Sequence, residues 1–352
     1  MKVLVAMSGG VDSSVAALLL REQGHDIVGV TMRLWGGESD TGCCSVSDVD
    51  DARRVAQQLD VDHLVFNFAE DFDAHVVDPY VRAHASGVTP NPCVECNRHL
   101  KFDRLLERAD ALGFDAVATG HHARINADDR GILRVTRGAD MQKDQSYVVH
   151  MLQGRALDRT LFPVGGLTKS DVRAIASSHG LRTASKPDSQ DVCFIQSTAG
   201  REGFLAKRME FNSADVVDTE GRPAGDVAAV ELVTIGQRRG LNLGGGDKRY
   251  VVDVDVKTRR VVVGSENDLL TNEVVVKQLC WPHGSDEPLS TCDVLVQGSA
   301  HGARHAASIT MESDDTVRLT WNKDQRRIAP GQTVVFYDLT DTYVVGGGIV
   351  TS

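Results

Sequence analysis

Short apolar runs alternate with amphipathic stretches through the first half of the chain. Val3–Ala6, Ile27–Met32, His63–Phe66 and Ala116–Thr119 read as strands, and Val15–Leu20, Asp48–Leu59 and Phe102–Leu112 carry helical spacing between them. Strands and helices in alternation predict an α/β fold with a parallel sheet covered on both faces. A further helix is expected over Leu167–Gly180, opened by Thr168 or Ser170 and closed by Gly180. Past about residue 200 the texture changes to short alternating strands broken by glycine: Tyr250–Val256, Arg260–Val263, Glu273–Val276, Thr316–Trp321 and Thr333–Tyr337. A break near Leu269–Asn272 divides this β-rich part into a small middle domain and a C-terminal barrel. The expected organisation is a catalytic domain over 1–198, a central domain over 199–268 and a β-barrel over 269–352.

The first strand runs into Ser8-Gly9-Gly10-Val11-Asp12-Ser13-Ser14 and then directly into a helix. Two adjacent glycines let successive N–H groups turn toward an anion, and the helix start adds its positive dipole end. Ser8, Ser13 and Ser14 add hydroxyl donors. The loop lacks the lysine of a G-x-x-x-x-G-K-[ST] loop, which disfavours γ-phosphoryl transfer. The motif S-G-G-x-D-S resembles the pyrophosphate loop of the ATP pyrophosphatases, enzymes that cleave ATP between the α and β phosphates and adenylate a substrate oxygen. In that resemblance Asp12 helps to hold Mg²⁺ beside the leaving pyrophosphate.

Composition sets limits on partners and compartment. The 352 residues are 41% hydrophobic and 25% charged, as in soluble globular proteins. No run reaches membrane-spanning length, and Met1–Met7 lacks the features of a signal peptide, so a cytoplasmic protein with no membrane partner is expected. The formal charge of −11 opposes indiscriminate nucleic-acid binding and requires that a nucleic acid be met by local basic patches. Arg238-Arg239, Lys248-Arg249 and Arg326-Arg327 are candidates for such patches.

Seven cysteines without a secretory signal point to thiol chemistry or metal binding at a few of them. Pro90-Asn91-Pro92-Cys93-Val94-Glu95-Cys96 places a C-x-x-C on a proline turn that feeds the helix near Lys101–Leu112. The helix start, Arg98 and Lys101 favour thiolate there. Taken alone the pair is equally a zinc half-site, a redox pair or a structural turn. Cys193 lies in a second polar segment, Asp188–Phe194. Cys43-Cys44, Cys280 and Cys292 read as structural. An adenylating loop combined with thiols suits sulfur transfer onto a carbonyl carbon, because adenylation makes the carbonyl oxygen a leaving group.

Further blocks occur in the order Asn91-Pro-Cys-x-x-Cys-Asn97, Ala118-Thr-Gly-His121, Lys143-Asp-Gln-Ser-Tyr147, Lys186-Pro-Asp-Ser-Gln-Asp-Val-Cys-Phe194, Thr234-Ile-Gly-Gln-Arg-Arg-Gly240, Pro330-Gly-Gln332 and Gly346-Gly-Gly348. Over nearly its full length the chain resembles the tRNA-specific 2-thiouridylases. The resemblance implies an N-terminal ATP-pyrophosphatase domain, a small central domain and a C-terminal β-barrel. It implies 2-thiolation of the wobble uridine of tRNA with release of AMP and pyrophosphate. Ala6, Met7, Ser8, Gly9, Gly10, Val11, Asp12, Ser13, Met32 and Gly120 would bind ATP, and Asp12 would hold Mg²⁺. Cys96 would be the nucleophile and Cys193 the persulfide carrier. Asn91, Pro92 and Cys93 would meet the target base, while His121, Lys143, Asp144, Gln145 and Gln332 would contact the tRNA. Many relatives carry Asp in place of Cys93, proposed to move protons. They also carry an Arg-Tyr-containing stretch where this chain has Ser299-Ala300-His301-Gly302, for which Arg304 or His305 is a candidate substitute.

Two sulfur routes fit the resemblance. In one, a Cys193 persulfide attacks adenylated C2 and Cys96 resolves the linkage as a Cys96–Cys193 disulfide, or Cys96 first frees hydrogen sulfide. In the other, Cys93, Cys96 and Cys193 hold an iron–sulfur cluster for exogenous sulfide. A sulfur-donor protein is an expected partner, and the chain is expected to be a monomer. The alternatives are an amidating AMP-forming synthetase of the same loop class and an RNA-binding module that senses ATP.

Overall fold

The computed structural model describes residues 1–34, 46–188, 192–195, 199–241, 243, 248–282 and 291–351. Cys43 and Cys44 lie outside them. The first domain is built on a five-stranded parallel sheet in the order His63–Asn67, Asp26–Arg33, Lys2–Ala6, Ala116–Ala118, Thr160–Leu161. Lys2–Ala6 sits at the centre because its side chains are apolar on both faces. Val3 and Val5 join one core cluster with Val15, Leu18 and Val55. Leu4 and Ala6 join the opposite cluster with Phe72, Leu100 and Val117. Each fully buried valine or leucine of this kind contributes about 1.5–3 kcal/mol.

The chain adds two strands on one side of Lys2–Ala6 and then crosses to Ala116–Ala118 on the other. Strand order therefore reverses beside the central strand, and the carboxyl ends splay into a crevice at that point. Ser8–Ser14 leaves one of the two strands and Thr119-Gly120 leaves the other.

Helix Val11–Glu22 begins at Gly10, which has no side-chain cap, so its first-turn N–H groups open toward the crevice. The helix over Lys169–Ser178 is opened by Thr168 rather than Ser170. Thr168 Oγ1 accepts from the Asp171 amide at 3.2 Å and Asp171 Oδ2 accepts from the Thr168 amide at 3.0 Å, a reciprocal cap.

The C-x-x-C segment differs from its expected form. Asn91 Oδ1 accepts from the amides of Cys93 and Val94 and starts a helix at Pro92, so both cysteines lie in the first turns of the helix rather than on a turn before it. The helix widens to π geometry over Cys96–Arg104 and returns to α geometry over Leu105–Ala111. Such widenings occur frequently at functional sites.

Beyond residue 199, helix Gly200–Ala206 buries Phe204 and Leu205 against Phe72, Tyr80 and Phe194 of the first domain. A four-stranded sheet follows, ordered Tyr250–Asp255, Arg260–Gly264, Ala214–Asp218, Pro223–Val227. Six strands from Leu270–Cys280 to Val344–Val350 then close a barrel around Val276, Val296, Leu319 and Phe336. Among the described residues, no helix is long and apolar enough to cross a membrane.

Several contacts fasten the barrel to the first domain, and two of them bear on the site. A hairpin that the apolar pattern does not reveal, Ala123–Ala127 with Leu133–Arg137, delivers Arg137 to the barrel end, where its guanidinium lies 3.5 Å from the centre of the Tyr337 ring. At the second contact, Pro330–Gln332 holds the segment leading into Asn91. The Thr89 amide donates to the Pro330 carbonyl at 3.0 Å, and Gln332 Nε2 donates to the Thr89 carbonyl at 2.5 Å.

Candidate active site

The crevice at the switch point is a cavity of about 360 Å³. Ser8, Gly10, Val11 and Asp12 form one wall, Lys143–Gln145 with Tyr147 and Val148 another, and Lys169, Lys186 and Asp188 a third. The Met7 amide donates to the Val30 carbonyl at 2.8 Å, and Thr31 Oγ1 donates to the Met7 carbonyl at 2.8 Å, which fixes the entry to the loop. Ser13 Oγ accepts from the Ser8 amide at 3.2 Å and donates to the Gly10 carbonyl at 3.1 Å, so the loop closes on itself.

Two glycines are required by geometry. Gly9 has φ +73°, and a Cβ there would collide with the Asp48 carbonyl. A Cβ on Gly120 would stand 2.6 Å from the Ser13 nitrogen. Gly120 therefore lets the neighbouring strand end approach the helix start. Ala6 and Met32, at the ends of adjacent strands, are buried in the core cluster beneath the loop.

Asp12 is the most heavily engaged side chain of the loop. His122 Nε2 donates to Oδ1 at 3.0 Å, and Lys169 Nζ donates to the two oxygens at 2.8 and 2.7 Å. Burial alone would raise the Asp12 pKa, but these hydrogen bonds and charges outweigh burial and lower it. Asp188 receives Lys143 at 2.9 Å, Lys169 at 2.9 Å and Arg173 at 2.8 Å. Burial opposes its ionisation too, yet Lys143 and Lys169 bring its pKa down to about 2. Lys186 reaches Asp48 at 2.6 Å and Asp51 at 2.8 Å, which holds the helix Val46–Gln58 beside Gly9.

The expected tRNA-contacting residues divide into two groups. Lys143 and Gln145 face the cavity, and Gln145 Oε1 accepts from the His122 amide at 2.9 Å. Asp144 lines the wall but is 8% exposed, held by Arg137 Nη1 at 2.8 Å and the Gly138 amide at 2.7 Å. His121 is also buried, between Phe102 and Phe162, with Thr119 Oγ1 at 2.6 Å from Nδ1, and burial pushes its pKa well below the ordinary histidine value. This packing does not match direct tRNA contact by His121; His122 is the histidine at the cavity. Gln332 is committed to the Thr89 carbonyl. Of the stretch that departs from the relatives, Ala300 and His301 reach the cavity, whereas Arg304 is tied to Asp341 at 2.7 Å and His305 packs on Trp321. Those contacts make Arg304 and His305 poor substitutes.

None of the three candidate cysteines is among the residues that line this cavity. Cys96 is buried and Cys193 half-buried, and both pack on the apolar cluster that contains Phe72, Tyr80 and Phe194. Cys93 is exposed. Asn97 Nδ2, one residue beyond Cys96, donates at 2.8 Å to the carbonyl of Val148 in the cavity wall. Cys280 donates to the Met151 carbonyl at 3.2 Å, and burial pushes its thiol pKa up to about 11, as suits a structural residue. Cys292 is half-buried with its pKa raised by burial.

Among the described residues no three His, Cys, Asp or Glu side chains converge as metal ligands. Mg²⁺ asks less of the protein, since one carboxylate plus substrate phosphates satisfies it, and Asp12 fits that requirement once Lys169 moves off it. The basic pairs Arg238-Arg239 and Lys248-Arg249 are exposed. Arg326 is instead paired with Glu266, and Arg327 donates to the Val252 carbonyl at 2.9 Å.

Comparison with known proteins identifies the family. The tRNA methyl transferase HUP domain model matches residues 1–197, the PRC-barrel domain model of the same group matches 202–265, and the aminomethyltransferase β-barrel domain model matches 271–350. The tRNA-specific 2-thiouridylase MnmA of Roseiflexus castenholzii is 42% identical over 367 residues, covering 99% of this chain and 98% of the relative. The chain belongs to the tRNA-specific 2-thiouridylase family. The MnmA of Chloroflexus aggregans is 44% identical, covering 98% of this chain and 97% of its own length. The family's three-part plan is the one seen here: a parallel-sheet nucleotide domain, a small β domain and a closed six-stranded barrel.

Sequence reasoning missed Lys169 and Arg173 as members of the site, whereas His122 belongs to the His121-His122 pair that follows Thr119-Gly120 at the strand end. Lys169 is the first residue of a capped helix, and that position was the one available signal.

Proposed function

We propose that this chain is an ATP-dependent tRNA uridine 2-sulfurtransferase acting at C2 of the wobble uridine. The observation that carries the reading is the pyrophosphate-type loop at the sheet's switch point, with Asp12 in the cavity and Cys96 and Cys193 on one apolar cluster of the same domain. The domain descriptions speak of methyl transfer, but the curated relatives are named for thiolation. A phosphate loop and two cysteines on one cluster of the same domain suit the second chemistry.

In the first step the C2 oxygen bonds to the α-phosphorus, the bond from that phosphorus to the β-bridging oxygen breaks, and pyrophosphate leaves. The uracil N3 proton is lost here and regained when the thiocarbonyl forms. Loop amides and the serine hydroxyls hold the phosphates. Mg²⁺, when bound at Asp12, supplies further neutralisation of the phosphate charge.

In the second step the terminal sulfur of a Cys193 persulfide bonds to C2 and AMP leaves. Cys96 thiolate then attacks the Cys193 sulfur, breaking the S–S bond, which leaves 2-thiouridine and a Cys96–Cys193 disulfide. A thiol reductant reopens the disulfide, and a sulfur-donor protein reloads the persulfide. In a variant of this route, Cys96 attacks the persulfide first and hydrogen sulfide adds to C2. The enzyme works as a monomer in the cytoplasm, and ATP and tRNA are its substrates.

Replacing Asp12 tests the first step. Asp12→Ala is expected to lower tRNA-dependent AMP formation by about a hundredfold or more while tRNA affinity changes little. Unchanged AMP release would remove the loop from the mechanism.

A further inference from the structure

A chain with a formal charge of −11 can hold a polyanion only where positive charge is gathered locally and left unpaired. The segment Thr234–Tyr250 has that character, with Arg238, Arg239, Lys248 and Arg249 against one acidic residue, Asp247. None of the four basic residues lines the active-site cavity.

The fold brings the two basic pairs together. Thr234–Gln237 is a turn closed by the Gln237 amide on the Thr234 carbonyl at 3.0 Å, with Gly236 at φ +84°. The Gly236 amide then donates to the Val251 carbonyl at 2.8 Å, and the Val251 amide donates to the Gln237 carbonyl at 2.9 Å. That pattern is a β-bulge opened by a left-handed glycine. Arg238-Arg239 leaves the bulge where Lys248-Arg249 arrives, so each pair lies within three residues of the same two hydrogen bonds. Gln237 braces the turn, its Oε1 accepting from the Thr234 amide at 3.0 Å and its Nε2 donating to the Arg239 carbonyl at 2.9 Å. All four basic residues are exposed. Among the described residues no carboxylate pairs with Arg238, Arg239 or Arg249, and Glu266, which feels the charge of Lys248, is already held by Arg326.

The foot of this turn is fastened beside the segment that carries the cysteines. His84 Nδ1 donates to the Glu231 carbonyl at 3.3 Å, and Arg201 Nη2 donates to the Leu232 carbonyl at 2.8 Å. The Thr234 hydroxyl lies 3.2 Å from that of Thr89. Thr89 stands two residues before Asn91, the first of the residues expected to meet the target base. The basic surface is thereby set at a fixed distance from the segment that leads to Cys93 and Cys96.

We infer that Arg238, Arg239, Lys248 and Arg249 form a surface of the central domain that grips the phosphate backbone of the tRNA. Because Thr89 ties this surface to the base segment, the phosphates within reach are those of the arm that carries the target uridine. An arginine fork matches the oxygens of a phosphate group and stays charged at every working pH. Contacts of this kind set the position of the RNA without reading its sequence, which leaves selection of the base to the Asn91–Cys93 segment. The assignment rests on the proposed tRNA substrate.

The test is binding of unmodified tRNA transcript to the full-length protein, followed by fluorescence anisotropy over a series of salt concentrations. The double variant Arg238→Ala, Arg239→Ala is expected to bind about tenfold or more weakly near 0.1 M salt, with a log–log salt dependence shallower by about one to two units. Lys248→Ala with Arg249→Ala should act in the same way. ATP affinity and thermal stability should stay at wild-type values, because these side chains are exposed and outside the cavity. Arg53→Ala with Arg54→Ala removes the same charge from the exposed face of the helix Val46–Gln58, and should cost less than about threefold. Equal losses at the two places would show that only overall charge matters, and unchanged tRNA affinity in both central-domain variants would show that no phosphate is held there. Either result overturns the assignment. Unchanged tRNA affinity with slower thiolation would put a protein partner such as the sulfur donor on this surface, and overturns it as well. A wild-type protein that binds no tRNA would instead overturn the functional reading beneath it.

Discussion

Cys193→Ser is expected to abolish 2-thiouridine formation, a loss of about a thousandfold or more, while tRNA binding and first-turnover pyrophosphate release stay within a few-fold of wild type. A serine hydroxyl cannot carry a sulfane sulfur, but it fits the half-buried place of Cys193 beside Phe194 and Tyr80. Quantifying thiolated nucleoside and pyrophosphate from one reaction separates the two steps. Cys96→Ser separates the two forms of the persulfide route. If Cys193 attacks C2 directly, tRNA accumulates on the protein through a linkage that thiols cleave; if Cys96 first frees sulfide, no such adduct forms. Full thiolation by the Cys193 variant with a persulfide donor would remove the carrier role.

The second large effect is on stability. Arg137→Ala should destabilise the fold by about 3–5 kcal/mol, the range for breaking a buried ion pair by removing one partner. Arg137 is 4% exposed and its Nη1 donates to Asp144 Oδ2 and to Gln297 Oε1, each at 2.8 Å. Nη2 reaches Asp341 at 2.5 Å, and the plane of the group stacks on Tyr337. Its removal leaves the buried Asp144 carboxylate without its cation and takes away its side-chain tie between hairpin and barrel, leaving backbone contacts such as the Arg137 amide to the Thr342 carbonyl. Asp144 stands between Lys143 and Gln145, so the same change should loosen the cavity wall. Urea unfolding followed by intrinsic fluorescence measures the effect, and a change below about 1 kcal/mol would mean the contact is not a structural tie.

Much of the architecture was legible because its signals are local. The two-faced burial of Val3–Ala6, the Gly9-Gly10 turn and the Thr168 cap each lie within a few neighbouring residues, and each appears where expected. The switch to short strands past residue 200 likewise marks the β-rich half. The charged part of the site was hidden for the opposite reason. Lys169 carries no signal in the sequence beyond its place at a helix start, and Lys186 and Asp188 stand only within the block that carries the resemblance, because an ion pair formed across 138 or 157 residues leaves no local pattern. His121 and His122 are adjacent in sequence, so their different roles depend on which way the chain turns after Thr119. That turn sends one ring between Phe102 and Phe162 and the other to Asp12. Arg137 closes a short hairpin strand whose partner in the barrel lies some two hundred residues on, and its spacing gives no hint of burial. Asp144 was grouped with its neighbours as a tRNA contact, although its partner is that hidden arginine.

The central claim joins ATP cleavage at the α-phosphate to sulfur insertion at C2. The most direct test is mass analysis of nucleosides from unmodified tRNA incubated with anaerobically purified protein, ATP, Mg²⁺ and a persulfide or sulfide source, with AMP and ADP quantified in the same reaction. The account predicts 2-thiouridine at the wobble position, one AMP for each thio group and no tRNA-dependent ADP. Thiolated base absent under both sulfur sources, or ADP in place of AMP, would contradict it.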